Sequence, residues 1–386
     1  MKKHLIDLGL LNEAVVAEKE LEVKARINHS LKQAYAEPDI ESSVERELGD
    51  VFKNFDAPAV SAQTEKKEMR FIDAISDGLN EAMKAHPSLV LMGQDIADYG
   101  GVFKVTEGFT DAYGKDRVRN TPLCESAIVG AALGLSVSGK KAMMEMQFAD
   151  FVTCGFNQIV NNLAKLHYRW EQNADVVVRM PTGAGVAAGP FHSQSNEAWF
   201  YHTPGLKIAY PAFPEDAKGL LLRSFEDPNP VMFFEHKALY RSLSGEVPEG
   251  YYSLPFGKAN VVKEGTDLSV ITYGMGVHWA LELAEKHPDW NIEIVDLRTL
   301  SPLDTETIFQ SVQKTGKAIV LQEDCLTGGI VGDLSAMIHE NCWTSLDAPV
   351  MRCGSLDTPV PFSAVLEEQF LPKARFESLT QQLLEA

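Results

Sequence analysis

From Glu68 onward the chain alternates helix-period stretches with short, almost wholly apolar runs, and that rhythm leaves few folds open. A helical stretch over 71–86 precedes LVLM (89–92), and a second, beginning at Glu125, precedes AMMEM (142–146). A long helix over 149–170 is expected before VVVRM (176–180), and one opened by Pro214 before VMFF (231–234). Continuous Val, Ile, Leu and Met runs between helices belong to strands covered on both faces, so a parallel sheet in a three-layer α/β/α unit is expected. The pattern lapses over 258–266 and then resumes with strands at 268–273, 292–295 and 318–322. Helices at 278–286 and 305–312, another after Gly328-Gly329, and closing helices near 362–370 and 375–384 complete a second α/β unit with a mostly parallel sheet.

Ahead of these units, residues 1 to about 55 are charged and helical in period, which predicts one long amphipathic helix and a short follower. APAVSAQTEKK then reads as a linker. The expected domains are therefore 1–67, 68–250 and 251–386. A chain of 386 residues with 45% hydrophobic and 23% charged residues can bury proper cores in each α/β unit. A net charge of −19 without a basic stripe argues against a nucleic-acid partner. No apolar run reaches the length of a membrane span, and five cysteines without a C-x-x-C pair fit a reducing cytoplasm.

Two glycine-rich stretches invite a dinucleotide reading. TGAGVAAG (182–189) follows a strand, but Pro190 and His192 come where a phosphate-binding helix should begin. Tyr273-Gly274-Met275-Gly276 opens a helix but lacks the third glycine. Phosphate-loop, zinc-protease and nucleophile-elbow motifs are absent.

Two residues carry sharper chemistry. Glu125 stands at the mouth of a helix of small apolar residues. It either complements the helix dipole or serves as a proton-shuttling acid facing a heteroaromatic ring. His192 lies in a Gly/Pro/Ser loop after a strand's carboxyl end, where sites in open sheets gather, and imidazole suits proton transfer near neutrality. His202, before Thr203-Pro204-Gly205, is read as a structural turn histidine. Gly130 and Gly134 follow Glu125 at helical spacing and spell E-x4-G-Φ-x-x-G-Φ, where Φ is apolar.

That pattern resembles the pyrimidine-binding domain of thiamine diphosphate enzymes. The stretch from Met69 to Ala386 resembles the beta chain of 2-oxo acid dehydrogenase complexes through GQDIADYGGVF, GKDRVRNTPLCE, MQFADF, HSQSNEAWFYHTPG, DLRTLSPLD and the late TGG and DTPVP turns. LCES, QFADF and HSQS are closer to the branched-chain than to the pyruvate type. The resemblance implies a transketolase-like pyrimidine-binding domain and a transketolase C-terminal domain behind a helical extension.

It also implies roles. Glu125 would bond a ring nitrogen of the aminopyrimidine of thiamine diphosphate, Phe151 would stack on that ring, and Leu123 and Gln147 would line its pocket. His192 would protonate or orient the substrate and assist acyl transfer to a lipoyl group. A potassium ion is implied near Val176, Val177, Asp227 and Asn229. The family's magnesium-binding G-D-G motif is missing, so magnesium and the diphosphate would be held by an alpha subunit. Residues 1 to about 55 resemble the last helices of such an alpha chain, the remnant of an alpha-beta fusion. Further implied partners are a lipoyl-bearing acyltransferase core and a second beta chain. Rival readings are pyruvate dehydrogenase, acetoin-cleaving or transketolase-like chemistry on the same fold, and a non-catalytic assembly subunit docking on that core.

Overall fold

A computed structural model describes residues 1–385, so Ala386, the last residue of the expected C-terminal unit, lies outside the described residues. Contacts divide the chain into two compact units, residues 1–48 and residues 49–386. The long helix Glu13–Ala36 and a short follower, Val44–Gly49, are present as expected, and a further short helix, Lys2–Asp7, precedes them. Asn12 starts the long helix by accepting the Val15 N–H at 2.9 Å, a side-chain cap for an otherwise orphan donor. Val16 is the one buried residue of this helix, and Leu21, Val23, Ile27, Leu31 and Tyr35 are exposed.

In the second unit the described strands fall in three sheets. The seven-stranded sheet runs in the order Thr299–Ser301, Lys207–Ala209, Val231–His236, Val176–Thr182, Ala142–Glu145, Val90–Gly93, Val118–Asn120. Every pairing is parallel except that of Thr299–Ser301, which adds antiparallel at the edge from the later half of the chain. The five-stranded sheet, Met351–Ser355, Ala318–Cys325, Leu268–Thr272, Ile292–Asp296 and Asn260–Lys263, is parallel apart from its last strand. A two-stranded ribbon pairs Lys66–Arg70 with Ser244–Pro248. Helices such as Phe71–Ala85 and Pro214–Glu226 cover the first sheet, and their apolar sides share one core with its strands. The mostly parallel, doubly covered sheets match the sequence expectation.

Two stretches differ from it. Residues 54–67 are bonded along the first α/β part. The Val60 N–H donates to Ser253 Oγ at 2.9 Å, Arg223 Nη2 to the Ala57 carbonyl at 2.8 Å, and the Arg223 guanidinium lies 4.4 Å from the Phe55 ring centre. With few bulky side chains the stretch lacks a burial pattern, and main-chain groups together with the Phe55 ring do its docking.

The long helix expected over 149–170 is broken into a 3-10 segment Ala149–Gly155, a wide π segment Gln158–Leu163 and a short α-helix Leu166–Trp170. Gly155 explains part of the break. A Cβ there would stand 3.1 Å from Val129 Cγ2 and 3.5 Å from the Glu125 carbonyl, so this turn lies against the Glu125 helix. The irregular turn carries Asp150 and Phe151, so the break bears directly on the site.

Candidate active site

Four neighbouring strands, Val118–Asn120, Val90–Gly93, Ala142–Glu145 and Val176–Thr182, run parallel and end at one edge of the sheet. Each end supplies a polar candidate, the arrangement by which open α/β sheets build sites. Gln94 follows Gly93, and Glu125 opens the helix after Asn120. Gln147 to Phe151 follow Glu145, and His192 lies in the loop after Thr182.

Glu125 is the first residue of the helix Glu125–Val137 and is 8% exposed. Gln94 Nε2 donates to its Oε1 at 3.1 Å, and among the described residues no other side chain is hydrogen-bonded to this carboxylate. The helix start turns free main-chain N–H dipoles towards this carboxylate, and the Gln94 amide adds a donor. One carboxylate oxygen is thus held, and the other remains for a ligand.

His192 is half-buried, and two phenylalanine rings stand against it. Its imidazole stands edge-on to Phe148 at 4.7 Å between centres and to Phe151 at 5.5 Å, and Phe148 meets Phe151 at 5.6 Å. No hydrogen bond reaches the His192 ring from the described residues, so the ring edges and the loop backbone set its position.

Gln147 Nε2 donates to Asp95 Oδ2 at 3.2 Å. Leu123, before the Glu125 helix, is 80% exposed, an apolar side chain turned outward at the helix mouth. Val176 and Val177 are buried in their strand. Asp227 Oδ1 accepts the Asn229 N–H at 3.0 Å and its Nδ2 at 2.8 Å, while Oδ2 pairs with Lys207. Asn229 Oδ1 in turn accepts the Lys53 N–H at 2.8 Å. These side-chain oxygens are committed, so a monovalent cation at this turn would draw on main-chain oxygens. Among the described residues, no group of three or more His, Cys, Asp or Glu side chains is arranged to hold a metal ion.

Sequence reasoning overlooked several neighbours. Gln94 could have been found, because it sits directly after a strand in the quoted GQD. Asp150 lies inside the quoted QFADF, and its Oδ1 accepts both the main-chain N–H of Gln194 at 3.1 Å and its Nε2 at 2.9 Å. Burial pushes Lys237 down to about 8, against the pull of Asp150 and Glu323. Glu323, from the five-stranded sheet, bonds His236 Nε2 at 2.6 Å, the Ala184 N–H at 2.6 Å and Ser195 Oγ at 3.1 Å. Burial opposes its ionisation, but His236 and these bonds outweigh burial and hold its carboxyl below the usual range.

A neighbouring carboxyl behaves oppositely. Burial and then the charge of Asp324 push Glu197 up to about 8, although the Tyr273 hydroxyl donates to it at 2.7 Å. Burial likewise takes Asp324 up to about 7. Such groups are protonated in the fold and ionised in the unfolded chain between about pH 4 and their folded values. Their contribution is complete below about pH 4 and is lost as pH rises towards 8. Thermal midpoints are therefore expected to fall from pH 5 to pH 8, and Glu197→Gln is expected to flatten that slope. Calorimetry across the range checks it, and an unchanged slope in the variant would contradict the assignment.

Residues 67–242 match the transketolase pyrimidine-binding domain, and residues 257–375 match the transketolase C-terminal domain. The chain is 45% identical over 308 residues to the 2-oxoisovalerate dehydrogenase subunit beta of Bacillus subtilis, covering 78% of this chain and 94% of that one. The chain belongs to the transketolase-like beta-subunit family of 2-oxo acid dehydrogenases. The pyruvate dehydrogenase E1 component subunit beta of the same organism is 44% identical over 311 residues, covering 79% of this chain and 95% of the relative. The acetoin:2,6-dichlorophenolindophenol oxidoreductase subunit beta of Cupriavidus necator is 44% identical over 315 residues, covering 78% and 93%. A solved split-gene transketolase, described as an inactive beta4 tetramer, shares the fold at a TM-score of 0.66 and 23% identity, covering 82% of this chain and 98% of that one. This beta-subunit family is thiamine diphosphate-dependent, and no helix among the described residues is long and apolar enough to cross a membrane.

Proposed function

We propose that this chain is the beta subunit of a branched-chain 2-oxo acid dehydrogenase and contributes the pyrimidine half of a cofactor site shared with an alpha subunit. The observation that carries the reading is Glu125, buried at a helix start with Gln94 on one oxygen, on the same sheet edge as the ring cluster of Phe148, Phe151 and His192. A carboxylate with an oxygen to spare and nearby aromatic rings fit an aminopyrimidine. Bound there, thiamine diphosphate supplies the nucleophilic carbon and the electron sink for decarboxylation.

The chain's own residues do the rest. Glu125 holds or passes a proton at a pyrimidine nitrogen, and Phe151 offers a ring for stacking. Gln147 and the exposed Leu123 close the pocket against the alpha chain. His192 donates or accepts a proton at the substrate and assists acyl transfer to a lipoyl group on an acyltransferase core. Magnesium and the diphosphate fall to the alpha subunit, because no G-D-G motif occurs in this sequence. Alone, the chain is inactive. A potassium ion at the Val176, Val177, Asp227 and Asn229 turn would be steadied by main-chain oxygens.

A Cβ at Gly130 or Gly134 meets nothing within 4 Å, which supports pairing of this helix face with a second beta chain. Residues 1 to about 55 we read as a tail derived from an alpha chain; a natural start at Met1 together with a separate, complete alpha chain encoded elsewhere would replace fusion by a simple extension. A cytoplasmic enzyme fits the acidic chain and its free cysteines.

The branched-chain preference follows the 2-oxoisovalerate relative and the LCES, QFADF and HSQS residues. The test mixes the chain with its alpha subunit, thiamine diphosphate and magnesium and follows carbon dioxide release. Higher kcat/KM with 2-oxoisovalerate than with pyruvate is expected. A pyruvate preference would move the assignment to the pyruvate type, and no release with any 2-oxo acid would leave the assembly-subunit reading.

A further inference from the structure

The His192 imidazole accepts no hydrogen bond from the described residues, yet a general acid-base group must be held to within a fraction of an ångström to be effective. Its precision has to come from the loop that carries it. That loop is fastened from outside by two buried carboxylates.

Asp150 is 5% exposed and grips Gln194, two residues after His192. Its Oδ1 takes the main-chain N–H at 3.1 Å and the side-chain Nε2 at 2.9 Å. The Gln194 carbonyl is tied in turn to the strand end, accepting Thr182 Oγ1 at 2.9 Å and the Gly183 N–H at 3.4 Å. Asn196 Nδ2 donates to the Ala149 carbonyl at 2.9 Å, a second bond to the same turn. Because Phe151 follows Asp150 directly, the ring beside His192 and the loop of His192 are tied to the same turn.

Glu323 grips the other side. It is 6% exposed and belongs to Ala318–Cys325 of the five-stranded sheet. Its Oε1 accepts Ala184 N–H at the start of the loop and Ser195 Oγ beyond His192, while Oε2 is fixed by His236 Nε2 at 2.6 Å. Gly183 passes over His236 so closely that a Cβ would fall 2.1 Å from Nε2, so the loop starts on a glycine packed against the histidine that Glu323 holds.

We propose that Asp150 and Glu323 are positioning residues for His192, one fixing the loop to the Phe151 turn and the other fixing it to the second sheet. This rests on the reading of His192 as a substrate-facing acid-base group. Each carboxylate acts by accepting two donors from one loop, so an amide at either position keeps part of the grip and alanine removes it.

The test uses the full chain alone for hydrogen exchange and its assembly with the alpha subunit for kinetics. Asp150→Ala is expected to accelerate amide exchange over 183–196 and to lower kcat on the order of 10- to 100-fold, with KM for the 2-oxo acid nearly unchanged. Asp150→Asn, which retains an accepting oxygen, is expected to recover most of both. Glu323→Gln is expected to give a smaller change of the same kind. In a His192→Ala background neither substitution should lower kcat further, because the residue through which they act is gone.

Losses that add to that of His192→Ala, or loop exchange unchanged in Asp150→Ala, would overturn the proposal. Should Asp150→Ala fail to fold, Asp150→Asn and Glu323→Gln in the same double-mutant cycle decide it. Full activity of His192→Ala alone would instead refute the role of His192, while loop exchange would still report on the clamp.

Discussion

Glu125→Gln is expected to cut turnover of the assembled enzyme by about 100-fold or more while leaving the thermal midpoint almost unchanged. The amide has the size of the carboxylate, and its oxygen can still accept from Gln94 Nε2, now 3.1 Å from Oε1. What it loses is the ability to take and return a proton and the negative charge at the helix start. Loss of the charge alone costs stability of only about 0.3–1 kcal/mol, too little to unfold a chain of this size. The proton role and the dipole role therefore separate in one variant. Turnover falls and stability holds if Glu125 handles a proton, whereas unchanged turnover with a slightly lower midpoint would return it to the dipole role. Steady-state carbon dioxide release and calorimetry on the same preparation read both.

The second large effect lies beneath the site. Arg179 is fully buried between two buried carboxylates, with Nη1 2.5 Å from Glu145 Oε2 and Nε and Nη2 on the two Glu235 oxygens at 2.5 and 2.6 Å. Tyr240 adds its hydroxyl to Glu235 at 2.6 Å. Burial works against the guanidinium charge, but Glu235 and Glu145 outweigh it and push its pKa upward. Arg179→Met leaves two uncompensated buried carboxylates and is expected to destabilise the chain by about 3–5 kcal/mol.

Removing the charges together is different. Arg179→Met combined with Glu145→Gln and Glu235→Gln is expected to regain much of the loss, because no unpaired charge remains. Thermal or urea unfolding of the single and triple variants distinguishes an electrostatic cause from a packing defect, which the triple variant would not repair. The effect reaches the site through the strand ends. Glu145 is the last residue of its strand, Gln147 follows, and a Cβ at Gly93, next to Gln94, would stand 3.1 Å from the Glu145 carbonyl.

These residues also mark how far the sequence could be read. Apolar runs between helices are sufficient to specify parallel, doubly covered sheets, because burial on both faces leaves no polar alternation. A strand's carboxyl end pointed to His192, and Glu125 stood out as a lone carboxylate at the mouth of a helix of small apolar residues. The broken turn Ala149–Gly155 was not legible, since its apolar residues keep helical spacing and the close approach of Gly155 to the Glu125 helix, part of what interrupts it, leaves no mark in the sequence pattern. The edge strand Thr299–Ser301 was missed because three residues carry too little pattern to assign to a sheet built mainly from the earlier half of the chain. Glu323 was hidden by distance in sequence, as its carboxylate meets Ala184 and Ser195 across 139 and 128 positions. Buried Arg179 inside VVVRM was read as part of a strand, and its two partners lie on the neighbouring strands at 34 and 56 positions' remove.

The central claim is that this chain holds one half of a divided cofactor site. Titration calorimetry of thiamine diphosphate with magnesium into the chain alone, the alpha subunit alone and the assembled pair tests it most directly. The account predicts saturable binding to the pair and little to the chain alone, weakened in the pair by Glu125→Gln. Tight binding to the isolated chain, or none to the pair, would contradict it.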